Sequence, residues 1–223
     1  MTSAGAMPAV QAAPRYGDSA AWALLVAGVS GALAAAYLAF VPATVSDDQF
    51  SHPLDSGAFA LLQVFFFAHH LALAWGLYAV WQRGFAGGRR AARIGGPLSV
   101  AAMTLLGVHE LVAISAADAA YPSPRTDVIE TVYGALSMLN GAALVALGVG
   151  VATARLWSGW RRWVTLAAGV YVFVPMTPMI FGPFVMARLA IGGWMLLFAA
   201  LGWALLRPDT GQRPPRDRTA ASR

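Results

Sequence analysis

The sequence contains no cysteine and no lysine, and charged residues make up only 11% of its 223 positions. The missing cysteines exclude disulfide bonds and thiolate metal sites. An ordinary soluble domain carries about 25% charged residues, so the low charge excludes that class. The chain has instead 58% hydrophobic residues and a mean hydropathy of +0.61. These values are typical of a protein whose chain lies mostly in contact with lipid.

Six apolar segments are each long enough to cross a bilayer, which takes about 20 residues in a helix. Backbone polar groups inside a bilayer must be satisfied within the protein, which leaves helices or a closed barrel. The apolar runs show no strict alternation, so they favour helices. We predict an all-α membrane protein, a six-transmembrane-helix bundle that forms one domain over residues 19–206, with disordered tails at 1–18 and 207–223. The predicted spans are 19–42, 58–81, 97–117, 129–154, a fifth that starts near 163, and 184–206.

Prolines cluster at the end of the fifth span, at Pro175, Pro178 and Pro183. Proline removes a helical hydrogen bond and its ring clashes with the preceding turn. The fifth helix is therefore predicted to be kinked or broken in its last third.

Arginines are distributed unequally between the two ends of the predicted bundle. With six spans, both tails and the second and fourth loops share one end, which holds 13 of the 15 arginines. Arg125 and Arg188 belong to the other end. Because cytoplasmic loops are enriched in basic residues, both termini are predicted to be cytoplasmic. The pI of about 10.2 thus reflects the arginines that are predicted to lie at the cytoplasmic end, and nucleic acid is not expected as a partner.

Several strongly polar side chains lie within these spans, where they are costly and usually functional. They are His69 and His70 in the second span, His109 and Glu110 in the third, Asn140 in the fourth and Arg188 near the start of the sixth. At a rise of about 1.5 Å per residue, the histidines, Glu110 and Asn140 are expected roughly 12–17 Å below the arginine-poor end. Arg188 and the loop residue Asp118 are expected above them. This common depth predicts a polar pocket that faces outward.

Acid–base chemistry is the leading hypothesis for this pocket. Apolar surroundings disfavour the charged form of a carboxyl group, so Glu110 is expected to keep its proton near neutral pH and to act as an acid. His109 and His70 are the other predicted catalytic residues, which orient or reprotonate Glu110. Aromatic side chains around the pocket would stabilise a carbocation formed from an isoprenoid substrate. The predicted substrate-binding residues are His69, Asn140, Arg188, Asp118, Tyr133, Tyr171, Trp194 and Phe67.

Other functions remain open for the same histidines. One of His69 and His70, together with His109 and Glu110, offers ligands that suit zinc or iron, but the second histidine of a His-Glu-x-x-His motif is replaced by Ala113. Two histidines on neighbouring helices could also hold haem b. We nevertheless expect no cofactor and assign no metal ligand. The alternative to an enzyme is a non-catalytic protein that binds or transports a small ligand.

The chain resembles six-span integral membrane proteins of high-GC Gram-positive bacteria. The resemblance rests on composition and on stretches such as Tyr171–Pro178, whose sequence is YVFVPMTP. It implies a multi-pass protein of the bacterial cytoplasmic membrane and brings no assigned activity. The expected partners are membrane lipids, a hydrophobic small-molecule substrate and a second copy of the chain in a homo-oligomer.

Overall fold

The computed structural model describes residues 16–207, which are helical apart from the connecting segments. The helices are α1 (Tyr16–Phe40), α2 (Ser56–Gln82), α3 (Arg90–Ile114), α4 (Pro124–Ala154), α5 (Arg161–Tyr171), α6 (Thr177–Ile180) and α7 (Phe184–Leu206). A π-helical segment, Val172–Met176, joins α5 to α6. Six helical stretches in this part of the chain are long and apolar enough to cross a membrane, with α5 to α6 counted as one. The prediction of an all-α six-helix membrane bundle is therefore confirmed.

Helix boundaries differ from the predictions where polar residues extend an apolar span. We predicted that the third span begins at Pro97, but α3 begins at Arg90 and contains Pro97. The fourth helix begins at Pro124 instead of residue 129, because Ser123 and Thr126 form a capping box in front of the apolar run. The first helix already includes residues 16–18, which we predicted to be disordered. The remaining tail predictions, for 1–15 and 208–223, lie outside the described residues.

The helices are arranged in a ring. α1 packs between α2 and α7, α3 packs between α2 and α4, and α5 joins α4 to α7. The contact between α1 and α7 is especially close at Gly28, where an added Cβ would lie 2.7 Å from both the Ala199 Cα and the Met195 carbonyl oxygen. Glycine permits this backbone approach, as small residues do in many membrane helix pairs.

The prediction that prolines interrupt the fifth span is confirmed. The α-helix changes to the π-helical segment at Val172, and Pro175 lies inside that segment. The Thr177 hydroxyl donates a hydrogen bond of 2.6 Å to the Val172 carbonyl, which also accepts the Thr177 backbone amide in the π-helical pattern. The short helix α6 then ends before Pro183, which directly precedes α7.

Two loops at the arginine-poor end form a structured unit, which we call the loop cap (residues 41–55 and 115–123). Gln49 and Ala120 form an antiparallel bridge between the loops. The bridge is extended by a hydrogen bond from the Tyr121 amide to the Asp48 carbonyl, of 2.7 Å. Phe50 packs beneath it, 5.9 Å from the ring of Phe59 in α2. The loop cap therefore lies over the ends of α2, α3 and α4.

Candidate acid–base site

The Glu110 carboxyl is held by donors from two neighbouring helices. Its Oε2 accepts hydrogen bonds from the Tyr133 hydroxyl of α4 at 2.6 Å and from Nε2 of Gln63 of α2 at 2.9 Å. Gln63 Nε2 also lies 3.3 Å from the Tyr133 oxygen. Glu110 is 8% exposed and Gln63 is 6% exposed. Three helices thus position one carboxyl group in a closed environment.

The two oxygens of Glu110 have different surroundings. Both donors act on Oε2, while Oε1 has no hydrogen-bond partner among the described residues. Its nearest ionisable neighbour is His70, whose Nδ1 lies 3.7 Å away. Because Oε2 already accepts two hydrogen bonds, a proton on the neutral form of this carboxyl would be placed on Oε1.

His70 faces Glu110, but its own strongest contact is local. Its Nδ1 donates a hydrogen bond of 2.7 Å to the Phe66 carbonyl, one turn earlier in α2. In the neutral ring this bond leaves Nε2 without a proton, so Nε2 is the basic nitrogen. The Nδ1 proton of His70 is thus directed at the Phe66 carbonyl, while the ring lies beside the carboxyl.

His109 supports Tyr133 and does not contact the carboxyl directly. Its Nε2 donates a hydrogen bond of 2.9 Å to the Ile129 carbonyl of α4. Its ring meets the Tyr133 ring edge-on, with 4.4 Å between the centroids. The imidazole thus fixes the distance between α3 and α4 and the position of the tyrosine that binds Glu110.

His69 faces the opposite side of α2. Its Nε2 donates a hydrogen bond of 2.7 Å to the Ala27 carbonyl of α1. Gly31 lies directly against the ring and leaves room for it. Neighbouring residues on a helix point about 100° apart, so His69 and His70 cannot both face Glu110. The structure places His70 at the Glu110 cluster and His69 in the contact with α1.

Arg188 and Asp118 lie nearer the end of the bundle, as predicted for their positions. Arg188 in α7 is partly exposed and lies over the ring of Phe184, 4.7 Å from its centroid. Its charge interacts with Glu110 and Tyr133, but it forms no ion pair with them among the described residues. Asp118 belongs to the loop cap and accepts a hydrogen bond from the Ser56 hydroxyl at the start of α2.

The remaining predicted residues lie at different depths. Asn140 is fully buried and lies seven residues beyond Tyr133 on α4, so it is about 10 Å deeper instead of at the same level. Neither atom of its amide has a hydrogen-bond partner among the described residues. Trp194 donates a hydrogen bond of 2.9 Å to the Ala168 carbonyl, and the Tyr171 hydroxyl lies against Gly193. Both therefore belong to the contact between α5 and α7.

Phe67 lies closer to the site. Its carbonyl and ring are beside Gly107 of α3, one turn before Glu110. Of the predicted aromatic residues, Tyr133 contacts the carboxyl directly, and Phe67 packs one turn away on the same side of α3. Gln63 is a functional candidate that sequence reasoning missed. The available signal was its spacing, since it precedes His70 by seven residues and so shares its helical face.

An outward surface of α4 lies next to this cluster. α4 packs along α3, α5 and the π-helical segment, and its contacts with α6 and α7 are at most sparse within residues 16–207. Gly134 faces open space, with no heavy atom within 4 Å of an added Cβ. Tyr133 of α4 and Arg188 of α7 are both partly exposed.

A second acidic group lies where α4 meets the loop cap. Glu130 at the start of α4 is exposed and interacts with the Tyr121 hydroxyl of the loop cap. Hydrogen bonding to Glu130 is the main cause that raises the pKa of Tyr121 above its ordinary value. The tyrosine thus stays protonated and ties the loop cap to α4.

The positions of the histidine and carboxyl groups show whether these side chains are arranged to ligate a metal ion or haem iron. No group of three or more His, Cys, Asp or Glu side chains in the described part of the chain is arranged to hold a metal ion. The Nε2 atoms of His69 and His109 are occupied by backbone carbonyls, and these bonds would have to break before either nitrogen could bind iron. The haem and zinc hypotheses therefore gain no support from the side-chain geometry.

The chain was compared with protein-family models, curated sequences and solved structures. No protein-family model, curated protein sequence or solved structure matches the chain at a significant level.

The hydrogen bond from Tyr133 offers a first test of the geometry. We expect Tyr133→Phe to lower the free energy of unfolding by about 1 kcal/mol, because the variant leaves a buried acceptor with one donor fewer. For a protein of this size the midpoint of thermal unfolding in detergent should fall by about 2–4 °C. Tyr37→Phe is the matched control, since Tyr37 is 54% exposed on α1. An equal shift in both variants would contradict a specific role for the Tyr133 hydroxyl.

Proposed function

We propose that the protein is a membrane-embedded enzyme that uses Glu110 as a proton donor to a hydrophobic small molecule. The observation that carries the proposal is the asymmetric carboxyl, with Oε2 fixed by Tyr133 and Gln63 and Oε1 left free. A general acid must be held in place by one set of contacts and must present its proton to another group. A purely structural carboxyl would be expected to use both oxygens in hydrogen bonds, because unpaired polar atoms are costly in an apolar interior.

An alkene of the isoprenoid type fits the surroundings of Glu110. Transfer of the Oε1 proton to one carbon of a double bond forms a C–H bond and leaves a positive charge on the neighbouring carbon. The faces of Tyr133 and Phe67 can stabilise that charge. Loss of a different proton from the cation to the Glu110 carboxylate then gives an isomerised or cyclised product and restores the carboxyl group, so the net reaction consumes no proton. His70 lies beside the carboxyl, with Nδ1 at 3.7 Å from Oε1, and would help to orient it.

Sparse packing between α4 and α7 within residues 16–207 supports entry of such a substrate from the bilayer. Glu110 lies toward the arginine-poor end, which would face outward from the cytoplasm in a bacterial cytoplasmic membrane. An apolar substrate dissolved in the bilayer could enter between these helices without crossing water. This supports a lipid-soluble substrate over a polar metabolite.

A non-catalytic role in ligand binding or transport is the second candidate. The π-helical segment in the fifth span favours it, because interrupted helices often form the binding sites of transporters. In that case Glu110 would bind a ligand or a proton without transferring it to carbon. The two functions differ in whether a new C–H bond forms.

Solvent deuterium provides the test. Membranes that contain the protein, and matched membranes that lack it, are incubated in D₂O with a total lipid extract of the host cell and with linear prenyl alcohols as defined probes. If Glu110 protonates an alkene, its exchangeable proton is a deuteron, and mass spectrometry should find carbon-bound deuterium in a lipid product only where the protein is present. If no lipid or prenyl probe gains carbon-bound deuterium, the catalytic proposal is rejected and the binding role remains.

A further inference from the structure

A recess at the arginine-rich end lies far from Glu110 and has a different chemistry. It has a volume of about 600 Å³ and lies between the start of α3, the end of α4 and the start of α5. Three arginines line it, Arg89, Arg155 and Arg162, together with Trp163. No residue of this recess belongs to the acid–base site.

The arginines are placed there by local backbone features. Arg89 precedes α3, and its guanidinium donates a hydrogen bond of 3.3 Å to the Thr153 carbonyl, which brings it to the end of α4. Arg155 ends α4 with a φ of 57°, in the left-handed region. Glycine adopts this conformation at least cost, yet the chain carries a guanidinium at this point.

Arg162 brings a third guanidinium to the recess. Its guanidinium carbon lies 4.8 Å from the centroid of the Trp163 ring. This contact holds the side chain at the side of the recess that α5 forms. The recess is therefore lined by three positive charges.

No acidic side chain neutralises this charge within residues 19–207. The seven Asp and Glu residues in that range lie at the opposite end of the bundle or in the half next to it. They are Asp47, Asp48, Asp55, Glu110, Asp118, Asp127 and Glu130. Among residues 19–207, no carboxylate near the recess offsets the positive potential that an anion would meet there.

We propose that this recess binds the phosphate of an anionic lipid headgroup. Arginine suits phosphate because its fork of N–H donors can contact two oxygens at once. The recess also includes Val149 and Leu166, and Val149 is 40% exposed on the surface where acyl chains would lie. Trp163 is 47% exposed beside them, at the position typical of an aromatic side chain in the membrane interface. These apolar neighbours favour a lipid over a free phosphate ion.

Native mass spectrometry of the full chain in detergent can test the site. The probes are phosphatidylglycerol, phosphatidylcholine and inorganic phosphate. Wild-type protein should retain phosphatidylglycerol in preference to phosphatidylcholine, and millimolar inorganic phosphate should not displace it. Displacement by inorganic phosphate would overturn the assignment to a lipid headgroup.

Two triple variants that lose the same positive charge distinguish lipid binding at the recess from attraction to basic residues in general. Each arginine near an anionic headgroup contributes about a fivefold gain in affinity, so Arg89→Gln, Arg155→Gln and Arg162→Gln combined should weaken phosphatidylglycerol binding about 100-fold. The control combines Arg83→Gln, Arg90→Gln and Arg93→Gln, exposed arginines of the same end that do not line the recess. Equal loss in both triple variants would overturn the proposal.

A single substitution keeps the test valid if the triple variant does not fold. Arg162→Gln should weaken phosphatidylglycerol binding about fivefold, while Arg93→Gln should leave it unchanged. Unchanged binding in Arg162→Gln would show that this guanidinium does not contact the lipid phosphate, and the proposal would fail.

Discussion

Replacing Glu110 with glutamine should lower the rate of deuterium transfer from solvent to lipid by about 10²–10⁴-fold, the usual contribution of a positioned general acid. Glutamine has nearly the same shape as glutamate, and its carbonyl oxygen can accept the hydrogen bonds that Tyr133 and Gln63 donate to Oε2. The amide nitrogen then takes the position of Oε1. It has no proton acidic enough to give to an alkene, so chemistry is lost while the packing remains.

A control variant and a measurement of stability accompany Glu110→Gln. Glu130→Gln is the matched control, since it makes the same change at an exposed carboxyl of α4 and should keep the wild-type rate. Thermal unfolding of Glu110→Gln in detergent should show a folded bundle. If Glu110→Gln transferred deuterium at the wild-type rate, Glu110 would not be the acid. If it lost transfer but bound the lipid normally, the acid–base role would be strengthened over a purely structural one.

The effect of His109 on the site is indirect, and the structure explains why the sequence suggested otherwise. His109 and Glu110 are adjacent in the chain and both interrupt an apolar run, so a sequence interpretation groups them as one pair. On the helix their side chains diverge. His109 binds the Ile129 carbonyl, while Glu110 points to Gln63 and Tyr133. Sequence position predicts depth in the bundle, but the helix face decides which residues meet.

The six spans were predictable because the free energy of burying apolar surface depends mainly on segment length and composition. Glu110 was also predictable, since a carboxyl in an apolar span is costly and therefore conspicuous. Gln63 was not, because a neutral amide in a hydrophobic run gives a much weaker signal. Asn140 was predicted at the depth of the histidines by counting from residue 129, but it lies seven residues beyond Tyr133 on α4 and is therefore about 10 Å deeper than the tyrosine that binds Glu110.

The loop cap could not be predicted from sequence. It depends on the bridge between Gln49 and Ala120, which are 71 positions apart and lie in segments without apolar periodicity. Such pairing is set by the geometry of the finished bundle, which brings the ends of α1, α2, α3 and α4 together. The cap nevertheless matters for the site, because Phe50 and Phe59 pack with the cluster that includes Tyr133.

Gly28→Ala should destabilise the bundle by about 1–3 kcal/mol, because the added methyl group would overlap the backbone of α7. A Cβ at this position would overlap the Ala199 amide nitrogen and would lie 2.7 Å from the Met195 carbonyl oxygen. A backbone cannot rotate away as a long side chain can, so α1 and α7 must separate. Separation also disturbs the neighbouring contact of Ala27 with His69, 2.7 Å between the Ala27 carbonyl oxygen and Nε2. The midpoint of thermal unfolding in detergent measures the loss.

Gly134→Ala should instead raise the free energy of unfolding. No heavy atom lies within 4 Å of a Cβ there, so Gly134→Ala adds no overlap and gains the higher helix propensity of alanine, about 1 kcal/mol. The two variants change one methyl group each in two membrane-spanning helices, so the difference between their unfolding midpoints isolates the close approach of α1 to α7. If Gly28→Ala were as stable as Gly134→Ala, the tight contact between these helices would be wrong. The ring would then be open between its first and last spans, and the position of His69 against Ala27 would lose its support.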